Sequence, residues 1–259
     1  MQYVASYTDI PVPKVYAVHR EKGGFIYIEM AYVRGASLDK AWDGLSHHQK
    51  DTVVADLKQH MSCLRKLKPP FEGLVSSALQ NPGYDCRIGF RFWGPMKNHG
   101  EFHSLARGHL RMEDVGPYLG ENVAAVHNGN YDTLFTHADL APRNIMVRDG
   151  HVVAIIDWAY AGWYPEYWEF TKAHYTYFGE DWEECLRIIL PTYEMELEAE
   201  RILWERLPEP GTRTTLRRDG VVRRIPGSQP AQAWLAARAG RCLSDLWALA
   251  LSHVEYNDL

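Results

Sequence analysis

The run from Leu134 to Trp158, LFTHADLAPRNIMVRDGHVVAIIDW, constrains what this chain can fold into more than any other stretch. An apolar lead-in, Leu134-Phe135, delivers His137-Ala138-Asp139, and Asn144 follows directly ahead of the apolar Ile145-Met146-Val147. Asp149-Gly150, a dipeptide suited to the positive φ values of a tight hairpin turn, separates this run from a second one, Val152 to Ile156. The pattern predicts a β-hairpin. Antiparallel pairing brings Asn144, just before the first strand, and Asp157, just after the second, to the same open end. Asp139 lies on the loop that enters that end.

Two carboxylates and a carboxamide converging there make a hard-oxygen site suited to Mg²⁺, which takes one or two protein carboxylates plus substrate phosphates and keeps several waters. The carboxylate left over has a second role open to it. In phosphoryl transfer that role is to orient the attacking hydroxyl and accept its proton, and Asp139 is the residue placed for it. Taken singly, Asp139 suits an Asx-turn and Asn144 a loop cap. Asp157 is different, because a carboxylate closing the run Val-Val-Ala-Ile-Ile sits beside apolar surface and needs a partner or a metal.

The motif His137-x-Asp139-x-x-x-x-Asn144, followed by Ile156-Asp157-Trp158, resembles the aminoglycoside phosphotransferase and choline kinase branch of the kinase-like fold. The continuation Ala161-Gly162-Trp163-Tyr164-Pro165-Glu166-Tyr167-Trp168-Glu169 resembles the fungal members of that phosphotransferase family. The resemblance implies an α+β, protein-kinase-like two-lobe fold. In it, residues 1–34 are a remnant of a truncated small N-terminal lobe and hinge, and residues 35–259 are a mainly helical C-terminal catalytic lobe. It also implies ATP and Mg²⁺ as cofactors and a small-molecule hydroxyl as acceptor. Asp139 is then the catalytic residue, Asn144 and Asp157 hold the metal, and the backbones of Ala31 and Val33 meet the adenine edge beside Met30. His137 braces the loop.

Composition bounds the remaining classes. With 46% hydrophobic residues, the chain can bury a sizeable core in one domain or two unequal lobes. A net charge of -5 argues against a general nucleic-acid surface. The scattered Cys63, Cys86, Cys185 and Cys242 suit reduced thiols in the cytoplasm. No basic-then-apolar leader is evident, and no apolar run approaches the roughly 20 residues that span a bilayer.

Along the chain, residues 1–8 read as the end of a helix, and Ile10-Pro11-Val12-Pro13 as extended backbone. Lys14–Arg20 and Phe25–Val33 read as a hairpin around Glu21-Lys22-Gly23-Gly24. Ser46 and Gln49 form a capping box for a helix carrying Val53, Val54, Leu57, Met61, Leu64 and Leu67. Residues 71–112 are expected to be mostly loop, and Val115–Val126 a helix interrupted at Gly116-Pro117. Pro165 is expected to start a helix reaching Tyr177, and Trp182–Leu207 to form one further helix. Residues 208–230 hold five arginines (Arg213, Arg217, Arg218, Arg223 and Arg224), as a solvated hairpin turning at Asp219-Gly220 or as a phosphate-gripping lid. Ala231–His253 reads as an amphipathic helix.

The glycine-rich strand pair, the strand lysine and the helix glutamate of kinase-like enzymes have no counterpart among these residues. The resemblance therefore leaves two function classes open. One is an ATP- and Mg²⁺-dependent phosphotransferase acting on a small-molecule hydroxyl. The other is a kinase-fold protein without kinase activity, either a binding module or an enzyme doing non-phosphoryl acid-base chemistry on a natural product.

Overall fold

The computed structural model describes residues 1–21 and 25–207, together with the strand pair Thr215–Leu216 and Val222–Arg223. Helix α1 (Gln2–Tyr7) ends where Thr8 turns extended and bonds back to the Val4 carbonyl through both its N–H and its hydroxyl. It packs into the main core: Val4 is fully buried, and Tyr3 stacks on Phe135 with ring centroids 5.2 Å apart. Beyond the prolines, β1 (Val15–Arg20) and β2 (Ile26–Met30) form the expected antiparallel hairpin.

Strand β3 (Ala36–Ser37) leads into α2 (Leu38–Ala41) and then α3 (His47–Leu64). The capping box forms as its sequence predicts. Gln49 N–H donates to Ser46 Oγ while Gln49 Oε1 accepts from Ser46 N–H, so two otherwise orphaned helix-end donors are satisfied. Val53, Leu57, Met61 and Leu64 line the buried face.

Residues 71–112 are more ordered than expected. They hold β4 (Ser76–Ser77), β5 (Gly83–Asp85), β6 (Gly89–Trp93) and α4 (His99–Ala106). The strands are too short to display a period, but α4 had a readable start: Asn98 Oδ1 accepts Glu101 N–H at 2.9 Å, the side-chain cap of an Asn-x-x-Glu sequence. The next helical region breaks elsewhere than expected. Helix α5 (Met112–Leu119) runs through Pro117, and the stop before α6 (Glu121–Asn128) is Gly120 at φ 100°. Proline costs a short helix one hydrogen bond, whereas that φ is the region glycine enters freely.

Strands β7 (Thr133–Thr136), β8 (Ile145–Arg148), β9 (His151–Ile155) and β10 (Gly162–Pro165) complete two three-stranded sheets, ordered β4-β10-β7 and β3-β8-β9. Pro165 closes β10 opposite Thr133 instead of opening a helix, and α7 (Trp168–Ala173) starts three residues later. The expected single helix after Trp182 is two, α8 (Glu180–Ile189) and α9 (Glu194–Arg206), parted at Leu190-Pro191. There the proline interrupts what the amphipathic pattern alone would continue. The main core joins Leu57 and Met61 of α3, Phe135, Ile145, Ile155 and Trp163 of the sheets, and Leu186 of α8.

Thr215–Leu216 (β11) and Val222–Arg223 (β12) pair antiparallel within the arginine-rich segment. The Asp219-Gly220 turn, the arginine side chains and the Ala231–His253 helix lie outside the described residues. Among the described residues no helix is long and apolar enough to cross a membrane.

Candidate active site

Hairpin β8–β9 positions the site. Ile145 pairs with Ile155 and Arg148 with His151, and the turn residues Asp149 and Gly150 take φ 54° and 80°. Neither end floats. Ile155 N–H donates to the Pro11 carbonyl, and Ile156 N–H to the Asn144 carbonyl, so the residues before β8 and after β9 are tied across the open end.

The loop entering that end leaves β7 through His137, whose imidazole is fully buried. Its Nδ1 accepts the Asp139 N–H at 3.2 Å, so Nε2 carries the ring proton and donates to the Ile156 carbonyl at 3.0 Å. Burial pushes its pKa down to about 4, against the opposing charge of Asp139. A neutral imidazole with both nitrogens engaged bridges the loop to the end of β9 and has no proton to exchange near neutral pH.

Ala138 sits at φ 61°, a left-handed value that a side-chain-bearing residue rarely adopts. Glu169 of α7 holds it there. One carboxylate oxygen accepts the His137 N–H at 2.6 Å and the other accepts the Ala138 N–H at 3.2 Å. Burial raises the Glu169 carboxyl to about 7, although both backbone bonds favour its charged form. Sequence reasoning gave Glu169 no role. The available signal was an acid within Trp-Tyr-Pro-Glu-Tyr-Trp-Glu-Phe, a stretch too aromatic to leave a carboxylate in water.

Asp139, Asn144 and Asp157 do converge. Asn144 Nδ2 donates to the Asp139 carbonyl at 2.9 Å and to its Oδ2 at 2.8 Å, which turns Asn144 Oδ1, the oxygen a hard cation would take, away from Asp139. Asp157 takes φ 61°. Burial first, and then the charge of Asp139, push its carboxyl up, while Arg143 and the Ala159 N–H pull it down. A divalent cation held by Asn144 Oδ1 and Asp157 would reverse that penalty, so the donor set would fit Mg²⁺.

Arg143 also belongs to this cluster. Its Nη2 lies 2.7 Å from each Asp139 carboxylate oxygen, its guanidinium carbon is 5.3 Å from the Phe178 ring centroid, and its Nε is buried without a partner. Ala31 and Val33 are placed between β2 and β3, and no hydrogen bond joins them to the Asp139 cluster among the described residues. The Ala31 N–H is committed to the Lys14 carbonyl at 2.8 Å, which leaves its carbonyl as the group open to a ligand.

Residues 1–209 match the model of the phosphotransferase enzyme family. No curated protein matches the chain by sequence. Aminoglycoside phosphotransferase APH(4)-Ia superposes with a TM-score of 0.54 at 14% identity, over 78% of this chain and 70% of that one. A thermostable variant of it, in a ternary complex with ADP and hygromycin B, gives 0.51 at 15% identity over the same shares. ADP-bound aminoglycoside phosphotransferase APH(2'')-Ib gives 0.50 at 15% identity, over 79% of this chain and 68% of that one. These likenesses establish the kinase-like α+β fold. The family match runs from α1 past α9 and takes in every residue of the Asp139 cluster, so the chain belongs to the phosphotransferase enzyme family.

Proposed function

We propose that the chain transfers the γ-phosphoryl group of ATP to a hydroxyl of a small molecule. The observation that supports this best is the Asp139, Asn144 and Asp157 cluster, in which Asp157 is a half-buried carboxylate held beside a second one. In this reading Asn144 Oδ1 and Asp157 hold Mg²⁺, which would neutralise charge on the phosphate oxygens. Asp139 orients the acceptor hydroxyl and takes its proton as the new oxygen–phosphorus bond forms and the bond to the bridging oxygen of ADP breaks. Glu169 and His137 keep the loop in register for that contact. Arg143 must move away from Asp139 for the carboxylate to accept a proton, and a guanidinium released there is a ready partner for the transferring phosphate. The Ala31 carbonyl and the Val33 backbone would meet the adenine edge.

One observation favours a second reading, a kinase fold without phosphoryl transfer: Arg143 already neutralises the proposed base through both of its oxygens. Measuring ADP formation with ATP and Mg²⁺ separates the two. The transfer reading expects metal-dependent turnover that Asp139→Asn lowers about 100-fold or more, with nucleotide binding kept. A variant that turns over at the wild-type rate, or nucleotide binding indifferent to Mg²⁺ and to Asp157→Ala, would sink it.

A further inference from the structure

Beside the Asp139 cluster, three aromatic rings run from the surface inward. Phe92 on β6 is 77% exposed, and its ring centroid lies 5.5 Å from that of Tyr84 on β5. Tyr84 in turn lies 5.7 Å from Tyr160, which sits in the turn Trp158–Ala161 immediately after Asp157. Tyr160 is close enough to Asp139 for that charge to help raise its phenol, after burial and Cys86. So exposed, Phe92 contributes little to the core. Its neighbour Trp93 points the other way and packs on Phe102 and Tyr164.

The charge of this wall is equally specific. The only acid in β5–β6 and its turn is Asp85, and nothing of it is left for a ligand. Its Oδ1 takes Lys172 Nζ at 3.0 Å and Arg87 N–H at 2.8 Å, and its Oδ2 takes Trp168 Nε1 at 3.1 Å. The cation Arg91 is exposed on the same hairpin, and Arg143 stands at the inner end. On this hairpin a polyamine would meet like charge, with no carboxylate free among its described residues to pair an ammonium group.

We propose that Phe92, Tyr84 and Tyr160 form the acceptor wall, and that the hydroxyl presented to Asp139 belongs to a neutral or anionic molecule with an aromatic face and not to a polyamine. This rests on the phosphotransfer reading for what happens to the hydroxyl, but the binding preference can be read without turnover. The probes are phenyl β-D-glucopyranoside and methyl β-D-glucopyranoside, which share their hydroxyls and differ in the aromatic ring, with gentamicin as the polyamine. Calorimetry or ligand-observed NMR on the whole chain should find the phenyl glucoside bound about tenfold more tightly than the methyl one. Phe92→Ala should remove most of that gap. Because Phe92 is exposed, its melting temperature should stay at the wild-type value, so a lost preference would not reflect unfolding. Equal affinities, no detectable phenyl glucoside binding at millimolar concentration, a preference that survives Phe92→Ala, or displacement of the phenyl glucoside by gentamicin would each overturn the wall. If ATP is never turned over yet the aromatic preference is found, the function reading falls and the wall stands. Turnover without the preference means the reverse.

Discussion

Hairpins β1–β2 and β8–β9 are built from similar residues, Val, Ile and Ala around a glycine-containing turn, yet every residue of β2 is exposed whereas in β9 only His151 is. The difference lies in what covers them. The β8–β9 pair has β3 on one edge, the Pro11 carbonyl on the other, and Asp56 and Leu57 of α3 against it. An isolated two-stranded hairpin is marginal in water, and a third strand or a packed helix is what makes it stable. The proposed metal-holding residues Asn144 and Asp157 flank the covered hairpin. The adenine-edge candidates Ala31 and Val33 follow the uncovered one. Precise geometry therefore belongs to one end of the proposed site, and the other end rests on a hairpin with little to hold it.

The largest expected effect is on stability. Ile155 is 0% exposed and Ile28 is 49% exposed, so Ile155→Ala should cost about 2–5 kcal/mol and Ile28→Ala less than about 1 kcal/mol in urea unfolding. Comparable losses would break the comparison, because they would mean that β2 is buried against something in solution.

The same contrast explains what the sequence could tell. Hairpin β8–β9 and the meeting of Asp139, Asn144 and Asp157 were legible because turn chemistry, strand alternation and loop spacing agree there. The capping box at Ser46 and the side-chain cap at Asn98 were equally local, and only the first was read. Helix boundaries at Gly120 and Pro191 failed because apolar periodicity continues across both positions while the backbone does not. Glu169 and the Asp85–Lys172 pair could not be derived, since each is defined by a partner more than 30 residues away. Their only trace was a charge embedded in aromatic sequence.

Acid should act through the buried histidines. Burial lowers His103 to about 3 and His137 to about 4, and holds His127 well below its ordinary value. Between these values and about 6.5 the unfolded chain binds more protons at these positions, so their contribution is present above about pH 6.5 and is lost as pH falls. Glu169, raised to about 7, opposes this, because the folded state holds its proton between about 4.5 and 7. His60, His99 and His174, also lowered by burial, act in the same sense, and Asp157 in the sense of Glu169, which leaves the histidines in control. Stability should drop by on the order of 2–3 kcal/mol from pH 6.5 to pH 5, at about 1.4 kcal/mol per pH unit for each extra proton. His127→Gln should flatten the slope measured by tryptophan-monitored unfolding. Stability that stays level or rises over that range would show that Glu169 dominates.

The smallest effect compares one side-chain bond in each hairpin. In β9, Asp56 Oδ2 reaches across from α3 to accept the Val152 N–H at 3.1 Å and to meet His151 Nδ1 at 3.2 Å, and Val152 is buried. Asp56→Ala leaves that backbone donor unsatisfied beside the core, which should cost about 1–2 kcal/mol. In β1–β2 the counterpart is His19 Nε2 to Glu29 Oε2 at 3.0 Å, a cross-strand pair with both side chains more than half exposed. Water takes over both partners when Glu29 is truncated, so Glu29→Ala should change stability by less than about 0.5 kcal/mol. The two substitutions each delete a carboxylate from a hairpin contact, one from a covered backbone donor and one from an exposed imidazole. If Asp56→Ala proves as mild as Glu29→Ala, water reaches the Val152 N–H, and the cover that α3 gives the β8–β9 hairpin is looser than its packing indicates.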